Sequence, residues 1–116
     1  MSDVQALKEL IVKLCREDHV GLWMVVNHVR DAFPRAEAAE LRLITLAMLY
    51  ELLERGVTQA GFPTLDGRGF NGWETGVAES VDRIEDAWES LHRDPTIGEI
   101  VWFAATDQEV RKDSSA

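Results

Sequence analysis

The run Gly67-Arg68-Gly69-Phe70-Asn71-Gly72 has the spacing G-x-G-x-x-G, in which backbone amides at a helix start can cradle a pyrophosphate. That chemistry requires a buried strand just before the glycines and a helix opening at them. Here Pro63-Thr64-Leu65-Asp66 precedes them and Trp73-Glu74-Thr75 follows, so the run reads as a flexible loop or a wing tip. Asp66 could open a calcium loop, but its twelfth position is Val77, where a bidentate Glu is required. Cys15 and His19 lie four apart, the spacing of two metal ligands on one helix face, yet no Cys or His follows at finger spacing and His28 and His92 stand alone. Cys15 beside Leu14 reads more simply as a small core residue. A Ser, Cys or Thr nucleophile would need a base held beside it, and no local signature for one is present. The carboxylate pairs Glu17-Asp18 and Glu85-Asp86 sit on charged helix faces, where such pairs are solvated; a general acid needs a desolvated site. The expectation is a protein that is not an enzyme and holds neither cofactor nor metal.

A different pattern points to binding. Glu79, Asp82, Asp86 and Glu89 are spaced 3, 4 and 3, which places all four on one helical face, with Glu85 beside them. Like charges at that spacing cost about 0.2–0.5 kcal/mol per pair in an isolated helix. Only Arg83 and Arg93 lie near enough in sequence to offset them. Such a stripe is either a solvated face or a dock for a basic partner. The preceding loop adds Phe70 and Trp73 among glycines, as core closures or interface anchors, and Arg68 at its tip.

The elements that must position these residues follow from hydrophobic period. Ser2 with Gln5 can form a capping box opening a first helix, whose stripe is Val4, Leu7, Ile11 and Leu14. A second helix spans about 20–33, burying Leu22, Val26, Val29 and Phe33, with Trp23 and Val25 widening the stripe; Pro34 stops it. A third, about 35–55, is apolar nearly all round from Leu41 to Leu53 and reads as the central, core-forming helix, with Gly56 as its C′ residue. Its polar positions are Glu37, Glu40, Arg42, Thr45, Glu51 and Glu54. Residues 57–62 predict a short strand, and Asp66-Gly67 a turn. A fourth helix, about 76–93, buries Val77, Val81, Ile84, Trp88 and Leu91. Residues 100–105 predict a second strand covered on both sides. The expected organisation is one globular domain over 1–106 and a polar tail over 107–116 that frays.

Totals narrow the function classes. The 116 residues suffice for one hydrophobic core, and a single cysteine excludes an intrachain disulfide and fits a reducing compartment. The first 20 residues lack an apolar signal core, and no apolar run approaches the roughly 20 residues needed to cross a bilayer, so a soluble cytoplasmic protein is expected. Net charge is −9, and residues 74–99 alone hold eight acids against two bases. A field of that sign repels phosphate backbones and acidic membranes and attracts basic surfaces.

Three helices followed by a strand and a long glycine-rich tip resemble a winged helix-turn-helix, most clearly at Leu52-Leu53-Glu54-Arg55-Gly56-Val57, where a recognition helix would enter the first wing strand. The fold expected is α+β and mostly helical: a winged-helix-like three-helix core, a small two- or three-stranded antiparallel sheet and an additional amphipathic helix. The resemblance implies DNA binding, which the acids of the third helix disfavour. Size, acidity and loop-borne aromatics resemble the small bacterial immunity proteins that neutralise toxins, and the segment Asp94-Pro95-Thr96-Ile97-Gly98-Glu99-Ile100-Val101-Trp102-Phe103 is similar to small uncharacterised bacterial proteins encoded near such toxins. That resemblance implies inhibition by occlusion of a basic toxin domain. The candidate partner-binding residues are Glu79, Asp82, Glu85, Asp86, Glu89, Arg68, Phe70 and Trp73. A homodimer is compatible with either reading.

Overall fold

The computed structural model describes residues 3–106. The predicted capping box at Ser2 and the tail at 107–116 lie outside the described residues. The elements are α1 (Asp3–Glu17), β1 (Val20–Gly21), α2 (Leu22–Ala32), α3 (Ala38–Glu54), β2 (Thr58–Pro63), β3 (Phe70–Gly72), α4 (Val77–Leu91) and β4 (Trp102–Ala105). This is an α+β fold of four helices and one antiparallel sheet with strand order β1-β4-β2-β3. The sheet has four strands, where the sequence predicts two or three. β1 escapes sequence reading because two residues show no period; it exists because Val20 and Gly21 pair with Phe103 and Trp102. The amide of Leu22, the first residue of α2, donates to the carbonyl of Val101 at 3.0 Å and extends that pairing.

Helix ends follow local chemistry. Gly56, at φ 72, provides the left-handed step after α3 that a side-chain-bearing residue resists. Phe33 caps α2 before Pro34, as the restriction on a residue preceding proline requires. β4 starts at Trp102 rather than at residue 100, because Ile100 takes φ 71 and cannot enter a strand.

One core gathers Leu7, Ile11 and Cys15 of α1, Leu22, Val25, Val26 and Val29 of α2, the inner face of α3, and Ile84 and Trp88 of α4. The stripe of α1 is rotated from the predicted one: Cys15 is buried while Val4 and Leu14 are half-buried. Phe33 is half-buried at the rim rather than in the centre. Thr45, read from sequence as a polar position of the third helix, is fully buried and satisfies its hydroxyl on the Leu41 carbonyl at 2.7 Å.

The sheet separates two kinds of residue by row. Val20, Phe103 and Ala60 stand in register and face the helices as part of the core. The adjacent row is Gly21, Trp102, Gly61 and Gly72, and the pleat turns it to the other face. There Trp23 meets Trp102 edge-on, with ring centroids 4.9 Å apart. A Cβ on Gly21 would fall 1.7 Å from the Trp23 ring, so the indole lies where only a glycine leaves room.

Candidate functional site

α4 runs from an N-cap at Gly76 to His92, which closes it at φ 56. Ser80, Ile84 and Trp88 form its buried face, and Val77, Val81 and Leu91 are half-buried around them. Glu79, Asp82, Glu85, Asp86 and Glu89 are all exposed, on the side opposite the core. Among the described residues no ion pair reaches any of these five carboxylates. The two arginines nearest in sequence are engaged elsewhere. The Arg83 guanidinium lies 3.9 Å from the centroid of the Trp73 ring. Arg93 holds Glu99 through two parallel bonds of 2.7 and 2.8 Å. The acidic face therefore stands open to solvent without an ion-pair partner among the described residues.

The other predicted partner-binding residues divide between two places. Trp73 is half-buried, packs on the core, and is roofed by Arg83 at the side of α4. It closes structure at the rim of the core. Phe70 and Arg68 belong to the hairpin of β2 and β3. Phe70 packs against His19 with centroids 5.2 Å apart, and both line an open groove of about 430 Å³ together with Glu17, Asp18, Gln59 and Arg68. Phe70 and Arg68 thus border that groove with the end of α1, while the carboxylate stripe lies on α4 and lines none of it.

The glycine run is the hairpin tip and β3, and α4 opens only at Val77, so the strand-to-helix turn of a dinucleotide site is not formed. The Asp66 carboxylate accepts from the Thr64 hydroxyl at 2.6 Å and from the Arg68 amide at 3.0 Å. These bonds, the Thr64 hydroxyl first, hold its pKa below the ordinary value. Gly67 takes φ 74 within this turn. Cys15 is buried, and burial pushes its thiol up to about 12. No group of three His, Cys, Asp or Glu side chains among the described residues is placed to hold a metal ion. No helix among them is long and apolar enough to cross a membrane.

Two features were not legible in the sequence. α3 does not bury its whole circumference: Leu43 is 65% exposed and Tyr50 43%, with Ala47 between them on the same ridge. α1, α2 and α4 occupy its other sides, so the apolar period alone could not say which side stays open. The second is the segment between α4 and β4. Glu99 accepts from Arg93 and from both the amide and hydroxyl of Thr96, and Ile97 projects at 78% exposure.

The Arg93 bond first, then the Thr96 bonds, lower the Glu99 pKa from 4.5 to about 2. A depressed carboxylate pKa stabilises the folded segment fully above about 4.5, and that contribution is lost as pH falls through about 2. Protection of the Thr96 and Glu99 amides, measured relative to their intrinsic exchange rates, is expected to fall between those values before the core opens. Replacing Glu99 with Gln should produce the lower protection already at neutral pH.

Comparisons with known proteins return no match: no family model, no curated protein and no solved structure is similar enough to assign the chain to a family.

Proposed function

We propose that the protein is a protein-binding inhibitor of the immunity type, neutralising a basic toxin domain such as a nuclease by covering its active or substrate-binding surface. The observation that carries this reading is the exposed carboxylate face of α4, without an ion-pair partner among the described residues, whose neighbouring arginines are engaged with Trp73 and Glu99. A surface of that kind mimics a row of phosphates. It attracts Lys and Arg grouped to receive a nucleic acid, and it raises the encounter rate through the field of the whole charge cluster. The rigid helix supplies the spacing, so the partner meets charges already in place.

The test is capture of a basic protein by the wild-type chain, with affinity and association rate then measured on the captured partner. Changing Glu79, Asp82, Asp86 and Glu89 together to Lys is expected to weaken binding by about 100-fold or more, most of it in the association rate. Inhibition of the toxin should be lost in parallel. These four side chains are exposed, so circular dichroism should show the fold retained. Equal affinity before and after the reversal would leave the stripe as a solvated face and sink the proposal.

A winged-helix DNA-binding regulator is the second reading. The order α1, β1, α2, α3 and then the β2–β3 hairpin supports it. In that arrangement α3 would enter the groove, and its open ridge offers Glu40, Leu43, Ala47, Tyr50 and Glu54. Tyr50 alone carries a hydroxyl that can donate to a phosphate; none offers the Arg, Lys, Asn or Gln that reads a base edge, and Glu40 and Glu54 repel the backbone. A sequence-dependent mobility shift that survives about 150 mM salt would favour this reading over the first.

A further inference from the structure

We propose that β3 is a dimerisation edge, on which a second copy of this chain adds its own β3 antiparallel about a two-fold axis through Asn71. β3 ends the strand order and, among the described residues, pairs only with β2. The parity of that pairing is fixed. The Trp73 amide donates to the Ala60 carbonyl at 2.8 Å, and the Thr64 amide to the Gly69 carbonyl at 3.0 Å. Asn71 stands opposite Phe62, midway between these bonded pairs. The backbone groups of Gly69, Asn71 and Trp73 therefore face β2, and those of Phe70 and Gly72 point away from the sheet. Among the described residues nothing bonds these outward groups. The strand carries no proline, lysine or inward charge, the devices that usually blunt an edge.

Self-pairing in one register satisfies this edge. With Asn71 on the axis, Phe70 of each copy faces Gly72 of the other as a hydrogen-bonded pair, giving four bonds from the four outward groups per copy. The same register brings Arg68, in the turn just before β3, and Glu74 of the other copy, just after it, to the same end of the paired strands, twice. Both side chains are exposed, and neither has an ion-pair partner among the described residues. Each Phe70 ring is also set beside a glycine, which leaves it room. Moving the axis to Phe70 would place the two Phe70 residues opposite each other, and moving it to Gly72 would set Glu74 against Phe70; neither pairs the charges. The edge is only three residues long, which predicts an interface of the small, weak class and a dimer populated at high protein concentration. This inference stands independently of the inhibitor reading.

Sedimentation of the wild-type protein from about 10 to about 500 μM should show a reversible monomer–dimer equilibrium. Arg68→Glu or Glu74→Arg alone should each weaken dimerisation by about tenfold or more, and the double charge swap should restore it to within about threefold. Asn71→Cys should form a covalent dimer on oxidation with diamide, since opposed residues of a non-hydrogen-bonded pair lie about 4.5 Å apart at Cα. Cysteines at 70 or 72 should cross-link far more slowly. A wild-type protein that stays monomeric throughout overturns the proposal. So does a dimer indifferent to both single reversals, or preferential cross-linking at 70 or 72.

Discussion

Trp88→Ala is expected to cost the domain about 3–5 kcal/mol, read as a lower urea midpoint at unchanged slope. Trp88 is 1% exposed and is the largest fully buried side chain of the described residues. It is also the deepest anchor of α4, whose remaining wholly buried residues are only Ser80 and Ile84. Removing it deletes the transfer free energy of the indole and leaves a cavity that rigid neighbours fill only in part. A polar consequence adds to this. The Arg42 guanidinium lies 5.7 Å from the Trp88 ring centroid, and its Nε is buried without a hydrogen-bond partner. The aromatic face is thus part of what compensates that group. Domains of this size are stable by roughly 5–15 kcal/mol in total, so the variant should sit near the edge of folding. Leu65→Ala is the control: that side chain is fully exposed and its loss should change stability by less than about 0.5 kcal/mol. A cost below about 1 kcal/mol for Trp88→Ala would mean that α4 is not integrated into the core.

Gly61→Ala is expected to have a comparable effect by the opposite route. A Cβ at this position would lie 2.1 Å from the Asn71 carbonyl oxygen and 2.8 Å from the Gly72 Cα. Both are backbone atoms of the paired strand, so no rotamer relieves the overlap; β3 itself must move. Insertions of this kind commonly cost 1–3 kcal/mol, and the upper end or beyond, about 3 kcal/mol, is expected where the obstacle is backbone. Urea unfolding should report the loss, and amide exchange should place it at Trp73, whose hydrogen bond to Ala60 closes the hairpin. Gly76→Ser separates the clash from any general effect of losing a glycine. A Cβ there meets nothing within 4 Å, and the hydroxyl can cap α4, which has no side-chain cap. That change should be neutral or stabilising by a few tenths of a kcal/mol. Equal destabilisation by the two substitutions would refute the steric account.

The helices were legible because each has enough turns for its period to register. Ile84 and Trp88 of α4, and Leu22, Val26 and Val29 of α2, are buried as their spacing predicts. The exposed run of Glu79, Asp82, Asp86 and Glu89 was legible for the same reason: an amphipathic helix with one apolar stripe leaves the opposite face to solvent. Where the period is ambiguous the sequence misleads. α3 is apolar on nearly every side, so its pattern could not distinguish buried Met48 from exposed Leu43, and Thr45 looked like a surface residue. β1 is too short for any pattern.

The acidity of α4 is therefore a property of the chain, but its availability is not. Charge sign and helical spacing are local, and they place five carboxylates on one side of one helix. Whether Arg83 and Arg93 neutralise that face depends on what else lies within reach of two long side chains. Trp73 comes from the far end of the hairpin and Glu99 from the segment beyond the helix, and only the folded arrangement brings them to those arginines. The same holds for β3. Its sequence fixes a glycine, an asparagine and flanking opposite charges, while the pairing of β2 with β4 on one side leaves β3 at the end of the sheet with one edge open. Hydrogen-bond parity is set by tertiary register, and a shift of one residue would have turned those groups inward.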